Sequence, residues 1–199
     1  MGDSITYGND GFSPKNEKVG FPYPVLVEQE LNLRLSYNYG LGGSTVAEGE
    51  NSFFAMSTRY VYMQKGDVVS VLGGVNDFGR NIPLGKISDT SKETFYGALN
   101  ALAEGLKNSY PDALIFFITP YKCSGIPSVN KNGNTLKEFA EAVKQICELH
   151  NLPCLDFYET GGFENEMNKP ESDRIHPSQS FYKNNTAPQI AEFIRENLK

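Results

Sequence analysis

The chain has 199 residues, 39% of them hydrophobic and 12% aromatic, with 18 Lys+Arg against 24 Asp+Glu and a net charge of −6. That length predicts one domain, residues 1–199, whose core is large enough to need neither disulfides nor a structural metal. The acidic balance excludes a general nucleic-acid surface, and no apolar run approaches the roughly 20 residues of a membrane-spanning helix.

The elements alternate along the chain. Residues 23–33 space Val25, Leu26, Val27 and Leu31 around acidic positions and follow Pro24, which predicts a short helix. Residues 35–39 read as a strand, and 58–63 fit neither template. Residues 67–72 carry Val68, Val69, Val71 and Leu72, the near-continuous apolar run of a buried parallel strand. Residues 91–109 repeat Phe95, Leu99, Leu102 and Leu106 at helical spacing and stop at Pro111. A strand over 113–119 follows, then a helix over 135–150 with Thr135 as N-cap and Glu138 three residues on. Residues 153–157 read as a strand, and 178–198 as a last helix that Pro188 breaks or kinks. Cys123, Cys147 and Cys154 contain no CxxC and read as three reduced thiols, with a Cys147–Cys154 pair across a helix–strand turn as the alternative.

Strands separated by single helices predict an α/β fold: a three-layer, doubly wound parallel sheet of flavodoxin-like type. Right-handed crossovers place all strand C-termini on one edge, where such sheets bind ligands. The segments leaving that edge are 40–45, 73–80, 120–134 and 158–176.

Those segments hold the residues that matter. Of the two histidines, His150 ends a helix and is explained by the helix dipole. His176 follows Asp173 by three residues, so a carboxylate can orient one ring nitrogen. A serine hydroxyl needs such a base to become a nucleophile, and Gly2-Asp3-Ser4 offers one, with Gly2 small enough for a substrate carbonyl to come close to the backbone. Taken singly, Gly-Asp-Ser is an ordinary turn or cap and Asp-x-x-His an ordinary surface pair. The glycine-rich 38–45 and Gly73-Gly74-Val75-Asn76-Asp77 each follow a strand. Each reads as a turn, or as a donor of N–H groups to an anion.

These four segments, in this order, resemble the four sequence blocks of the GDSL/SGNH hydrolase family: Gly2-Asp3-Ser4, Gly43, Asn76, and Asp173 with His176. The resemblance runs from residue 2 to the final helix. It implies that Ser4 is the nucleophile, His176 the general base and Asp173 its orienting partner. It further implies an oxyanion site made by the N–H of Ser4, the N–H of Gly43 and the side-chain amide of Asn76, with no metal or other cofactor. Arg174, between Asp173 and His176, departs from the small residue usual there and is expected to point to solvent or touch substrate.

The implied activity is a serine esterase acting on short-acyl esters, acetyl above all. The loops 9–18, 47–52 and 122–134 are polar, and Phe12, Phe53, Phe54, Phe78 and Tyr121 are expected near the mouth. Phe78 and Tyr121 are the candidate substrate contacts. A polar cleft with aromatic platforms suits a small-molecule or carbohydrate ester better than a long acyl chain. Lysophospholipid or thioester hydrolysis is the alternative within the family. In the family a strand runs directly into Gly-Asp-Ser; here it would precede Met1, so the first central strand is expected to be missing and the natural chain to start upstream. That gap motivates a further alternative, a catalytically impaired binding module. A phosphate-binding flavodoxin-like domain would leave Asp173 and His176 unexplained. With no visible signal peptide the default compartment is the cytoplasm, an expectation weakened by the same missing segment.

Overall fold

The structure is a computed structural model that describes every residue except 14, 16, 50–53 and 199. In chain order its elements are α1 (Ser4–Tyr7), α2 (Tyr23–Leu31), α3 (Met56–Arg59), a 3-10 turn (Tyr60–Tyr62), β1 (Val68–Leu72), α4 (Val75–Gly79) and α5 (Phe95–Ser109). They continue with β2 (Leu114–Ile118), α6 (Leu136–His150), β3 (Cys154–Leu155), α7 (Phe157–Thr160), α8 (Glu164–Met167), α9 (Gln179–Phe181), a π turn (Tyr182–Thr186) and α10 (Ala187–Asn197).

The three strands are parallel and lie in the order β1-β2-β3, with Val68 opposite Leu114 and Phe117 opposite Cys154. Side chains alternate across the sheet, as the two-residue period of a strand requires. Val69, Val71, Ile115 and Phe117 pack under Leu99, Leu102 and Leu106 of α5 and Phe139, Val143 and Ile146 of α6. Leu72, Phe116 and Ile118 face the other way, onto Val27 of α2 and Ile190 and Ile194 of α10. The result is helix, sheet and helix in three layers, as the alternating pattern predicts.

The outer edge of β1 meets the start of the chain. Gly2 bridges Leu72 on one side and Gly40 on the other, both in parallel. Leu72 N donates to Met1 O at 3.1 Å, the Met1 amine to Ser70 O at 2.6 Å, and Leu41 N to Gly2 O at 3.1 Å. The order across the sheet is therefore Gly40, Gly2, β1, β2, β3, with the first segment inside, the flavodoxin-like winding. Met1 and Gly2 fill only the C-terminal end of that inner position. Beyond them a groove of about 310 Å³ lies between residues 33–39 and residues 66–70, floored by Val27, Ile190 and Ile194.

Several boundaries depart from the sequence reading. Residues 35–39 form no strand; Gly40 alone makes a bridge there, and Leu35 and Tyr37 are exposed. An extended segment becomes a strand only through a paired neighbour, and here that neighbour is two residues long. The expected strand over 153–157 shrinks to Cys154–Leu155, because the Asp156 carboxylate accepts from Glu159 N and starts α7. α5 starts at Phe95, where the Thr94 hydroxyl caps Gly97 N. The last helix is split: Ala187 N reaches Tyr182 O in a π turn, and Pro188 sits in the first turn of α10, where its missing N–H costs least. α6 begins as predicted, with Thr135 and Glu138 in a reciprocal capping box. The three cysteines are free. Among the described residues no helix is long and apolar enough to cross a membrane.

Two side chains, the half-buried Arg59 and the buried Asp77, tie the loops above the sheet to one another. Arg59, at the end of α3, donates to Gly2 O (2.6 Å), Tyr39 O (2.8 Å) and Ser44 Oγ (3.2 Å). Asp77, fully buried in α4, accepts from Val46 N at 3.0 Å and from Ala47 N at 2.9 Å. Burial pushes the Asp77 carboxyl up to about 7, against the opposing pull of the Ala47 and Val46 N–H groups.

Two outcomes follow from these contacts. Thr135→Ala removes half of the capping box and lowers unfolding free energy by about 1 kcal/mol in urea titration. For Asp77 the raised folded-state value means that the folded chain holds a proton between the ordinary carboxylate range and about pH 7, where the unfolded chain does not. This group's stabilisation is thus full at acid pH and lost as pH rises through about 7. Melting temperatures of wild type and Asp77→Asn therefore converge as pH is raised from about 5 to about 8; a gap constant with pH contradicts the assignment.

Candidate active site

Ser4 is the first residue of α1, directly after the Gly2 bridge. The Asp3 carboxylate caps that turn by accepting Ile5 N at 2.9 Å, while its Oδ2 is buried with no partner among the described residues. Burial raises the Asp3 carboxyl to about 6, opposed by the Ile5 N–H and by the nearby His176 and Arg59. Gly2 is required by packing: a Cβ there would stand 2.0 Å from Thr6 Oγ1 and 2.8 Å from Leu72 O.

His176 and Asp173 come from the loop before α9. The ring Nε2 lies 2.8 Å from Ser4 Oγ, and the ring Nδ1 lies 2.6 Å from Asp173 Oδ2. The second carboxylate oxygen accepts Ile175 N at 2.9 Å and His176 N at 2.8 Å. Burial alone would raise the Asp173 carboxyl. The His176 ring and these two backbone N–H groups outweigh it and hold the carboxyl below its ordinary value. Asp173 thus stays anionic beside the imidazole. Gly11 allows the neighbouring loop to lie against this pair, since a Cβ there would stand 2.6 Å from Asp173 Oδ1 and closer still to His176 O. Arg174 takes a left-handed φ of 64° and is exposed.

Gly43 and Asn76 border the same cavity. Its volume is about 310 Å³ and its walls are Ser4, Asn9, Gly42, Gly43, Val75, Asn76, Gly79, Ile126, Ile175 and His176. Gly43 sits at φ 73°, a conformation that favours glycine. Asn76 Nδ2 donates to Ser44 O at 3.0 Å, which fixes the amide plane and leaves its second N–H available. The backbone N–H groups of Ser4 and Gly43 have no hydrogen-bond partner among the described residues. The structure thus brings together Ser4, Asp173, His176, Gly43 and Asn76 from four separate segments.

It does not bring Phe78 and Tyr121 to this cavity, which corrects the sequence expectation. Phe78 is 0% exposed with its ring edge-on to Phe139, and Tyr121 is 1% exposed and stacked on Phe157. The Tyr121 hydroxyl is used at 2.7 Å by Thr186. Both aromatics follow strands, and both turn back under the sheet edge because burying an aromatic ring is favourable and the core has room for it. Phe12 is half-buried beneath the Lys169 ammonium and Phe54 is exposed; Phe53 lies outside the described residues.

Sequence reasoning missed Arg59 and Asp77. Neither has a local signal. Arg59 lies in the stretch 58–63, which fitted no template, and Asp77 looks like a turn residue beside Asn76. Only the packed fold shows that both bind the backbone of segments distant in sequence.

Comparison with known proteins bears on the family and the fold. The model of the GDSL-like lipase/acylhydrolase family matches residues 1–183. A solved protein from Lactobacillus plantarum is 27% identical, with a TM-score of 0.86 over 100% of this chain and 96% of its own. A possible lipase from Chitinophaga pinensis DSM 2588 is 24% identical, with a TM-score of 0.78 over 98% of this chain and 96% of its own. A carbohydrate acetylesterase family member from Sinorhizobium meliloti shares the fold at 14% identity, with a TM-score of 0.70 over 98% of this chain and 95% of its own. Comparison with curated protein sequences finds no match. With the family's model covering nine-tenths of its length, the chain belongs to the GDSL-like lipase/acylhydrolase family.

Proposed function

We propose that the chain is a serine esterase that removes short acyl groups from carboxylic esters. The observation that carries this is the unbroken path from Ser4 Oγ to His176 Nε2 at 2.8 Å and from His176 Nδ1 to Asp173 Oδ2 at 2.6 Å. Ser4 Oγ attacks the ester carbonyl as His176 takes its proton. The anionic Asp173 holds the ring with Nδ1–H toward the carboxylate and stabilises the imidazolium. The carbonyl oxygen, now an alkoxide, is received by the N–H groups of Ser4 and Gly43 and by the Asn76 amide. These donors are fixed before substrate arrives, so no reorganisation is needed as charge develops. His176 then protonates the departing alcohol, and a water activated by the same imidazole releases the acid from Ser4.

The walls favour a short acyl chain. Gly42, Gly43 and Gly79 leave room beside the nucleophile, while Val75, Ile126 and Ile175 offer only a small apolar surface. An acetyl or butyryl group fits this lining better than a long chain, which calls for a contiguous apolar channel. The case for a sugar alcohol drew on aromatic platforms. With Phe78 and Tyr121 in the core it rests, among the described residues, on Phe12 and Phe54, so the proposal concerns the acyl side.

The expected results are hydrolysis of a short-chain chromogenic ester and labelling by a fluorophosphonate probe, both abolished in Ser4→Ala. Well-folded wild type that neither turns over ester nor takes the label overturns the proposal in favour of a binding module. Asn76→Ala lowers kcat by about 100-fold to 1000-fold with little change in KM, the loss typical of one oxyanion donor. Wild-type kcat in that variant removes Asn76 from the oxyanion site.

A further inference from the structure

The guanidinium of Arg80 lies against Gly43, one of the residues that wall the cavity beside Ser4, and Arg80 itself directly follows the wall residue Gly79. Arg80 directly follows α4, and its backbone N–H donates to Asn76 O at 2.9 Å, so cation and amide are carried on one turn. A Cβ built on Gly43 would stand 2.8 Å from Arg80 Nη2. The side chain is exposed, and among the described residues no carboxylate, ring or carbonyl holds it. The neighbouring Asp77 is turned away and already bound by Val46 N and Ala47 N.

The cavity itself carries no acidic wall. Two carboxylates lie beside it: Asp173, engaged by the His176 ring and two backbone N–H groups, and Asp3, next to Ser4, which caps Ile5 N. Neither is among the cavity walls, so an anion that enters past Gly43 meets a planar five-donor cation. That differs from the rest of the molecule, whose net charge is −6. A guanidinium fork matches a carboxylate in shape as well as charge.

We propose that Arg80 makes the site selective for esters that carry a carboxylate close to the scissile bond, its guanidinium pairing with that carboxylate while Gly43 N–H receives the carbonyl oxygen. The inference rests on the ester-hydrolase reading and adds the substrate's charge to it. The pairing raises kcat/KM by holding the carbonyl over Ser4, a gain made by positioning.

The test compares charged and neutral partners of similar size. Methyl hydrogen succinate against methyl butyrate puts the carboxylate on the acyl side. 4-Acetoxybenzoate against its methyl ester puts it on the alcohol side. The readout is the ratio of kcat/KM, charged over neutral, within each pair. In Arg80→Gln at least one ratio falls by about fivefold or more, the range of a charge-assisted hydrogen bond at a partly exposed site. Arg80→Lys lies between wild type and Arg80→Gln, and Arg80→Glu falls below both. Raising sodium chloride from about 0.05 to about 0.5 M lowers the wild-type ratio and leaves that of Arg80→Gln nearly flat. Ratios unchanged through the series overturn the proposal, even where the neutral esters are hydrolysed and Ser4→Ala is dead. If no ester is turned over, succinate binding followed by the Gly43 amide shift reads the same pairing without chemistry. Equal binding by wild type and Arg80→Gln then overturns it.

Discussion

One guanidinium holds the chemistry of this chain in register. Arg59 reaches Gly2 O, Tyr39 O and Ser44 Oγ, so the segment leading to Ser4 and the loop bearing Gly43 hang from the same planar group. Those two segments share no long ladder. Gly2 makes one bridge to each side, to Gly40 and to Leu72. A fork of rigid donors is suited to this task because its N–H directions are set by covalent geometry and lose little freedom on binding. Burial lowers the Arg59 pKa, and the nearby Asp3 carboxylate opposes that shift without cancelling it.

Asp77 and Asn76 complete the frame from the opposite side. The Asp77 carboxyl gathers Val46 N and Ala47 N, and the Asn76 amide gathers Ser44 O. The loop beyond Gly43 is thus clamped from α4 and from Arg59 together. Positioning costs are met by buried polar contacts that pair almost completely, which is the condition under which such contacts rigidify a site. The cavity inherits its shape from this clamp. Three of its walls are glycines, Gly42, Gly43 and Gly79.

Much of this was legible in the residues. The apolar run of β1, the helical spacing of α5 and the Thr135–Glu138 box each express a local rule, and the structure follows them. Ser4, Asp173 and His176 were singled out through the resemblance of four blocks taken together, since each block alone reads as an ordinary turn, cap or surface pair; the structure places the three side chains within hydrogen-bond distance. Phe78 and Tyr121 were misread because an aromatic after a strand can turn outward to a ligand or inward to the core, and sequence spacing is the same for both. Residues 35–39 were misread because strand identity is a property of a pair. Arg59 and Arg80 escaped notice for a related reason. Their roles depend on which backbone lies next to them in space, and no periodicity encodes that.

Hanging two segments from one side chain has a consequence for dynamics. The Arg59 guanidinium joins Gly2 O, Tyr39 O and Ser44 Oγ, so a motion that frees it loosens all three contacts at once, while the pairing of β1 with β2 is untouched. The segment that carries Ser4 and the loop that carries Gly43 then behave as one cooperative unit, and local order in the two is gained and lost together.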